Sequence, residues 1–401
     1  MKNANNILCL VLLVFFFIPV SCIKEYDSGI FEGRNLLVID GSLVKGNKIQ
    51  KVIISRSIGT GDDTVSYESG CTVYIEDDLG NTITFYEDST GFYTTQVDDA
   101  SMVIGRNYRL HVKTYDGESY VSDYEALIEC PEVDTVYSGI EYIYSNELNT
   151  ETLGMQFYID VKATESDTKY YRWLLEEDYQ VIVPYPYHFY FNGDSIIWGT
   201  PLIPETDQPD YSLTTCYNHS TVLNLYSSST ANLTVNEKKK IPLNNVYYNS
   251  IKLTSRYSIL VKQHSLTEKA YNYWQQRKTE IESGSNLYTS QPGQASSNMH
   301  NINNSSEQIL GFFWVSQKKE KRFFFKGDFG GVDYFNCQLD TLPVTSISGL
   351  TAYYDSKYPN ITYPIYVLAY PGVEAFTSDI ECFDCRKHGG DTAKPDFWIE
   401  E

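Results

Sequence analysis

Between Asn35 and Ile128 the chain is cut into short runs of alternating apolar and polar residues, each bounded by turn residues, and a chain so divided cannot build long helices. The runs cover 36–43, 50–58, 71–76, 82–86, 92–95, 108–114 and 120–128. Asp78-Leu79-Gly80-Asn81, Ser89-Thr90-Gly91 and Asp116-Gly117 lie between them and supply residues that accept a positive φ. Alternation with period two places every second side chain on one face, which needs a second sheet to cover it. The expectation is an all-β fold whose N-terminal unit, over 35–130, is a sandwich of immunoglobulin-like size.

Gly105-Arg106-Asn107-Tyr108-Arg109-Leu110 followed by Asp116-Gly117 resembles the closing hairpin of prealbumin-like extracellular modules, and Cys130-Pro131 marks the end of the unit. Residues 131–401 read as a larger β-rich domain, with strands expected over 155–163, 170–183, 248–261, 309–316, 322–326, 346–354 and 363–370. The proline-bearing stretch 184–222 and the Ser/Asn/Gln-rich stretch 285–308 read as loops. One helix is expected over 266–283. Ser265-Leu266-Thr267-Glu268 reads as a capping box, Leu266, Ala270, Tyr273, Trp274 and Ile281 share a face, and Gly284 closes the end.

The N-terminus carries a different kind of information. Lys2, the apolar run 7–20 and Ser21-Cys22 form the basic, apolar and small-residue regions of a secretory signal over 1–21. The run is too short to span a bilayer, which takes about 20 residues. Val20-Ser21-Cys22 has the small-residue-then-cysteine pattern of a lipobox, so Cys22 is the expected lipidation site and 22–34 the lipidated tether. Ile23-Lys24-Glu25-Tyr26-Asp27 resembles the short signal that sends some lipoproteins to the outer face of the outer membrane. A net charge of −21 argues against nucleic acid as a partner, because phosphate recognition needs a basic footprint.

With Cys9 in the signal and Cys22 acylated, Cys71, Cys130, Cys216, Cys337, Cys382 and Cys385 remain, and export makes all six candidates for structural disulfides in a pairing that spacing leaves open. Cys382-x-x-Cys385-x-x-His388 has spacing that also suits zinc or a redox pair, but tail-pinning disulfides are the favoured reading and no metal or cofactor is assigned. Hydrolase motifs and phosphate-binding glycine loops are missing, so no enzyme is expected. Glu76-Asp77-Asp78 and Glu176-Glu177-Asp178 read as solvated carboxylates at a turn and a strand end. Lys238-Lys239-Lys240 and 318–322 read as charged turns. The aromatic stretch 185–191 is the preferred binding loop, with Tyr185, Tyr187, Phe189 and Tyr190 as candidate partner- or ligand-binding residues.

Leu36-Leu37-Val38-Ile39-Asp40-Gly41, Thr168-Lys169-Tyr170-Tyr171-Arg172-Trp173, the segment 265–274, Ile309-Leu310-Gly311-Phe312-Phe313 and the tail motifs Cys382-Phe383-Asp384-Cys385-Arg386 and Lys394-Pro395-Asp396-Phe397-Trp398 occur in that order. Together they resemble the outer-membrane lipoproteins of the domain of unknown function 4249 family, with 296–301 departing from the family's tidier turn. The resemblance implies an envelope lipoprotein, often encoded beside a TonB-dependent outer-membrane transporter, and implies no known activity. The resulting expectation is a cell-surface accessory or substrate-binding, lid-like subunit of such a transporter, and the alternative is a structural or adhesive surface lipoprotein.

Overall fold

The computed structural model describes residues 35–57, 64–145, 149–198, 209–283, 296–326, 334–342, 349, 352, 363–369 and 375–399. The segments expected to be the signal (1–21) and the lipidated tether (22–34), Cys22 included, lie outside the described residues, as do Gly284 and most of 346–354.

The first unit contains β1 (Leu37–Lys45), β2 (Ile49–Arg56), β3 (Ser66–Tyr67), β4 (Thr72–Asp77), β5 (Thr82–Ser89), β6 (Phe92–Gln96), β7 (Asn107–Lys113), β8 (Ser119–Ser122) and β9 (Glu125–Ala126). The second contains β10 (Thr135–Ser145), β11 (Thr150–Lys162), β12 (Tyr170–Ile182), β13 (Phe189–Phe191), β14 (Ile196–Trp198), β15 (Thr215–Ser229), β16 (Glu237–Tyr247) and β17 (Arg256–Ser265). Helix α1 (Glu268–Ser283) follows, then β18 (Met299–Asn301), β19 (Phe313–Lys326), β20 (Asp340–Leu342), β21 (Ile365–Ala369) and β22 (Ala375–Thr377). The fold is all-β with one long helix among the described residues, as expected.

The first sandwich folds over at β5, which pairs with β6 on one side and β4 on the other. Leu37, Ile39, Val52 and Ile54 thereby face Val73, Ile75, Leu110 and Val112 in one apolar core. Gly41 lets the layers approach: a Cβ there would stand 2.9 Å from the Leu110 side chain and 3.2 Å from that of Phe313. In the second sandwich β10-β11-β16 covers β15-β12-β17-β19, burying Phe157, Ile159 and Leu243 against Tyr171, Trp173, Tyr257 and Val261.

The units are not separate beyond residue 130. Phe313–Lys326 forms one strand whose first part runs parallel to β1 and whose second part pairs antiparallel with β17, so a 14-stranded sheet runs through both sandwiches. β18 adds to β8 at the far edge, and Met299, Ile309, Phe313 and Val315 complete the first core. The charged segment 318–322 therefore lies inside a strand rather than in a turn: Lys318, Lys319 and Glu320 stand opposite His264, Gln263 and Lys262. The strand expected over 248–261 is displaced to Arg256–Ser265, after a short 3-10 turn at Ile251–Leu253.

Helix α1 begins two residues later than expected, with Thr267 rather than Ser265 as its cap. Thr267 Oγ1 accepts from Ala270 N at 3.1 Å, while Ser265 Oγ donates to the Ile128 carbonyl at 2.8 Å. Leu266, Ala270 and Tyr273 pack on Val44, Phe312 and Trp314, and Ile281 is exposed. The cap also ties the helix to the first sandwich, because Thr267 Oγ1 donates to Glu125 Oε2 at 2.5 Å. Glu125 is 1 % exposed, and its Oε1 has no partner among the described residues.

Burial pushes the Glu125 carboxyl up to about 7, aided by Asp123 and opposed by the Thr267 hydrogen bond and the Lys269 charge. A carboxyl raised in the folded state favours folding fully below its unfolded pKa near 4.5 and loses that contribution as pH climbs to about 7. The loss corresponds to about 3 kcal/mol. Urea midpoints of wild type and Glu125→Gln should diverge in favour of the variant at pH 8 and draw together at pH 5. A gap that does not change with pH would mean that Glu125 does not titrate in this window.

Candidate functional site

The aromatic stretch 185–191 and four of the candidate cysteines, Cys216, Cys337, Cys382 and Cys385, gather at the end of the second sandwich where the C-terminal tail returns. β13 pairs with β14 and β21, forming a small sheet of β14-β13-β21-β22-β20 beside that tail. The stretch 185–191 is thus partly strand and its rings are largely packed. Tyr187 meets Tyr366 at 4.9 Å, Tyr190 meets Tyr366 at 5.7 Å, and Tyr185 meets Phe383 at 5.7 Å. Tyr187 donates to Asp210 Oδ2 at 3.1 Å and Tyr185 to the Cys337 carbonyl at 3.1 Å, so both phenols have partners inside the cluster. Tyr187 and Phe189 are buried; only Tyr185 and Tyr190 keep partial exposure.

Two disulfides hold the tail. Cys216 on β15 is bonded to Cys385, and Cys337 to Cys382. The Cys-x-x-Cys spacing therefore joins two different anchors and leaves no neighbouring thiol pair for zinc or redox exchange. His388 Nε2 lies 3.0 Å from the Glu381 carbonyl, and no group of three or more His, Cys, Asp or Glu is placed to hold a metal among the described residues. Between the cysteines, Asp384 takes Nε and Nη2 of Arg386 at 2.9 and 2.8 Å and the Tyr366 hydroxyl at 3.1 Å. Burial works against the Asp384 charge, but these bonds hold its carboxyl below the usual range.

The other two candidate cysteines are free thiols, which corrects the expectation that all six pair. Cys71 belongs to the first sandwich, where its backbone N–H donates to the Tyr93 hydroxyl at 2.9 Å. Cys130 is buried at the junction, its backbone N–H donating to Gln317 Oε1 at 2.8 Å and its thiol pushed up to about 12 by burial. They pack in separate places, each among its own neighbours, and neither meets a second sulfur.

Two of the three β12 carboxylates, Glu177 and Asp178, are buried in ion pairs rather than solvated, and the half-buried Glu176 pairs with Lys262. Successive strand residues point to opposite faces, so Glu177 takes Ser220 Oγ at 2.7 Å, Tyr257 OH at 2.8 Å and Lys252 Nζ on one face. Asp178 takes Arg322 Nη1 at 2.5 Å and lies 2.7 Å from His219 Nδ1 on the other. Each is consumed by its own cation, and the two do not flank a common space.

One arrangement was not anticipated from sequence. Arg172, His264, Trp274 and Trp314 meet where α1 lies over β12, β17 and β19. Arg172 and Trp274 fall in the quoted family motifs, but nothing in their spacing shows that the sheet register brings His264 beside them.

Residues 23–322 match the family model described as Domain of unknown function (DUF4249), which stops short of Cys337, Cys382 and Cys385. A comparison with curated proteins finds no match. Since the matched segment takes in most of the chain, from residue 23 through both sandwiches into β19, the protein belongs to the DUF4249 family.

Proposed function

We propose that the protein is a lipid-anchored, cell-surface lipoprotein of the outer membrane that serves a TonB-dependent transporter as an accessory or substrate-binding subunit. The observation that carries the reading is the N-terminal pattern: a basic residue, an apolar run too short to span a bilayer, and Cys22 directly behind Val20-Ser21. Two disulfides support export, since such bonds persist in oxidising compartments. Among the described residues no helix is long and apolar enough to cross a membrane, so in this reading the lipid on Cys22 supplies the attachment. No catalytic role is proposed: Glu177 and Asp178 are held in ion pairs, and the Cys-x-x-Cys sulfurs are in disulfides.

The test is a mild-detergent pull-down of the tagged protein from its own outer membrane, with Cys22→Ala as the companion variant. Near-stoichiometric recovery of a TonB-dependent barrel with the wild type, and loss of the variant from the membrane fraction, are the expected results. Recovery of the lipoprotein alone would overturn the transporter role in favour of a structural or adhesive one. A Cys22→Ala chain that stays in the membrane would overturn the lipid anchor.

A further inference from the structure

On the face of the second sandwich that carries the helix, three neighbouring side chains hold fully buried polar atoms that have no protein partner among the described residues: Arg172 Nε, His264 Nε2 and Trp274 Nε1. The sheet register explains their meeting. Arg172 on β12 stands directly opposite His264 on β17, and α1 lays the Trp274 ring over the guanidinium, 3.4 Å from Cζ to the ring centroid. Trp314 on β19 closes the group, edge-on to His264 at 5.4 Å and to Trp274 at 6.2 Å.

Arg172 is 8 % exposed and forms no ion pair among the described residues. Burial pulls its guanidinium down to about 10, opposed only by Tyr273, so it remains charged at neutral pH with no carboxylate acting on it. The nearby lysines are matched, Lys262 to Glu176 and Lys318 to Glu320, and Arg172 is not. A buried charge needs a counter-charge, because aromatic faces return less than desolvation costs.

His264 is 2 % exposed, and its imidazole is pushed down to about 3 by burial and then by the charges of Arg172, Lys318 and Lys262, so the ring is neutral. Ser316 Oγ donates to the Gln317 carbonyl at 3.0 Å. The serine oxygen is then the acceptor for His264 Nδ1, also 3.0 Å away, and Nε2 is left as a bare acceptor. The group presents a guanidinium and an indole N–H as donors, and one imidazole lone pair that needs a donor from outside.

We propose that Arg172, Trp274 and His264 form a binding site for a small carboxylate with a neighbouring hydroxyl. The carboxylate sits on the guanidinium and the indole N–H, and the hydroxyl donates to His264 Nε2. A simple anion would match the donors but leave the imidazole lone pair unmet, whereas this pair of groups matches all three. The three atoms are closed off from solvent, and Trp274, Gln275 and Ser227, which keep partial exposure with Gln275 Nε2 donating to Ser227 Oγ at 3.0 Å, form the part of the wall that must shift to admit the ligand. The site is independent of the transporter reading.

Isothermal titration of the full chain with sodium lactate, sodium acetate and sodium chloride at matched ionic strength tests it, with thermal melting as a second readout. Lactate should bind saturably, about tenfold more tightly than acetate for its extra hydrogen bond, and should raise the melting temperature. Chloride should do neither. Trp274→Phe keeps a ring against Arg172 but removes the N–H; it should weaken lactate about fivefold or more while the free protein still melts cooperatively. Arg172→Lys should weaken it further by removing the planar fork. No heat and no melting shift with lactate or acetate would overturn the site. Wild-type affinity in both variants would overturn its location, and equal affinity for lactate and acetate would overturn the hydroxyl contact.

Discussion

Replacing Cys216 and Cys385 together by Ala should lower the stability of the oxidised protein by about 5 kcal/mol, and replacing Cys337 and Cys382 by about 4 kcal/mol, if loop closure in the unfolded chain sets the effect. The reason is chain length. The first bond joins residues 169 apart in sequence and the second joins residues 45 apart, so each removes unfolded conformations on a scale that grows with the logarithm of the loop. The Cys216 to Cys385 bond also keeps the tail on an edge strand. Tyr217 and Asp391 exchange backbone hydrogen bonds of 2.7 and 3.0 Å immediately beyond Cys216, and Trp398 packs edge-on to Tyr217 at 5.2 Å.

Urea midpoints of the wild type and the two double variants measure the effect. The Cys216/Cys385 variant should show the larger shift, and mild proteolysis should clip its tail first. A shift below about 1 kcal/mol would mean that the tail's packing alone keeps it in place and that the unfolded chain is already compact.

Legibility of the fold tracked how far each strand's burial is written in its own residues. β1, β2, β4 and β7 lie over a core on one face, and their alternation is plain. β12 and β17 are covered on both faces and carry Arg172, Glu177 and His264 inside, so their pattern gives no clean period. β15 and β16 are too polar for their sequences to mark them as strands. Among the described strands Thr215–Ser229 pairs with β12 alone, and Glu237–Tyr247 opens with exposed Lys238, Lys239 and Lys240.

The candidate sites divided in the same way. The tail cysteines were recognisable as anchors, but their pairing depends on β15 reaching the tail, which is a long-range fact. The aromatic stretch 185–191 was visible by composition, yet composition does not show that Tyr366 and Phe383 arrive from far along the chain to pack against it. Arg172 and His264 are ordinary residues until β12 and β17 fall into register.

Gly311 marks the position where the two sandwiches are hooked together, and Gly311→Ala should be the most damaging single methyl that the chain can receive there. Its φ is +87°, and an added Cβ would stand 2.2 Å from the Ile39 carbonyl oxygen and 2.6 Å from its carbon. Those atoms are backbone of a central strand, so no rotamer change relieves the overlap. The flanking residues make the close approach necessary. Leu310 N donates to the Leu37 carbonyl at 2.9 Å, Ile39 N to the Leu310 carbonyl at 3.0 Å, and Gly41 N to the Phe312 carbonyl at 3.2 Å. To admit a methyl group the chain must leave β1 at this point, which frees the start of β19 and lifts Phe313 and Val315 from the first core. The positive φ contributes about 1 kcal/mol, and the lost hydrogen bonds and burial bring the expected total to about 4 kcal/mol. Hydrogen exchange should show protection falling first in β1 and the N-terminal part of β19, while β10 and β11, which among the described strands pair with each other and β16, keep theirs. A variant with wild-type urea midpoint and unchanged exchange in β1 would show that the chain reaches β1 by another path and that the shared strand does not bind the sandwiches into one unit.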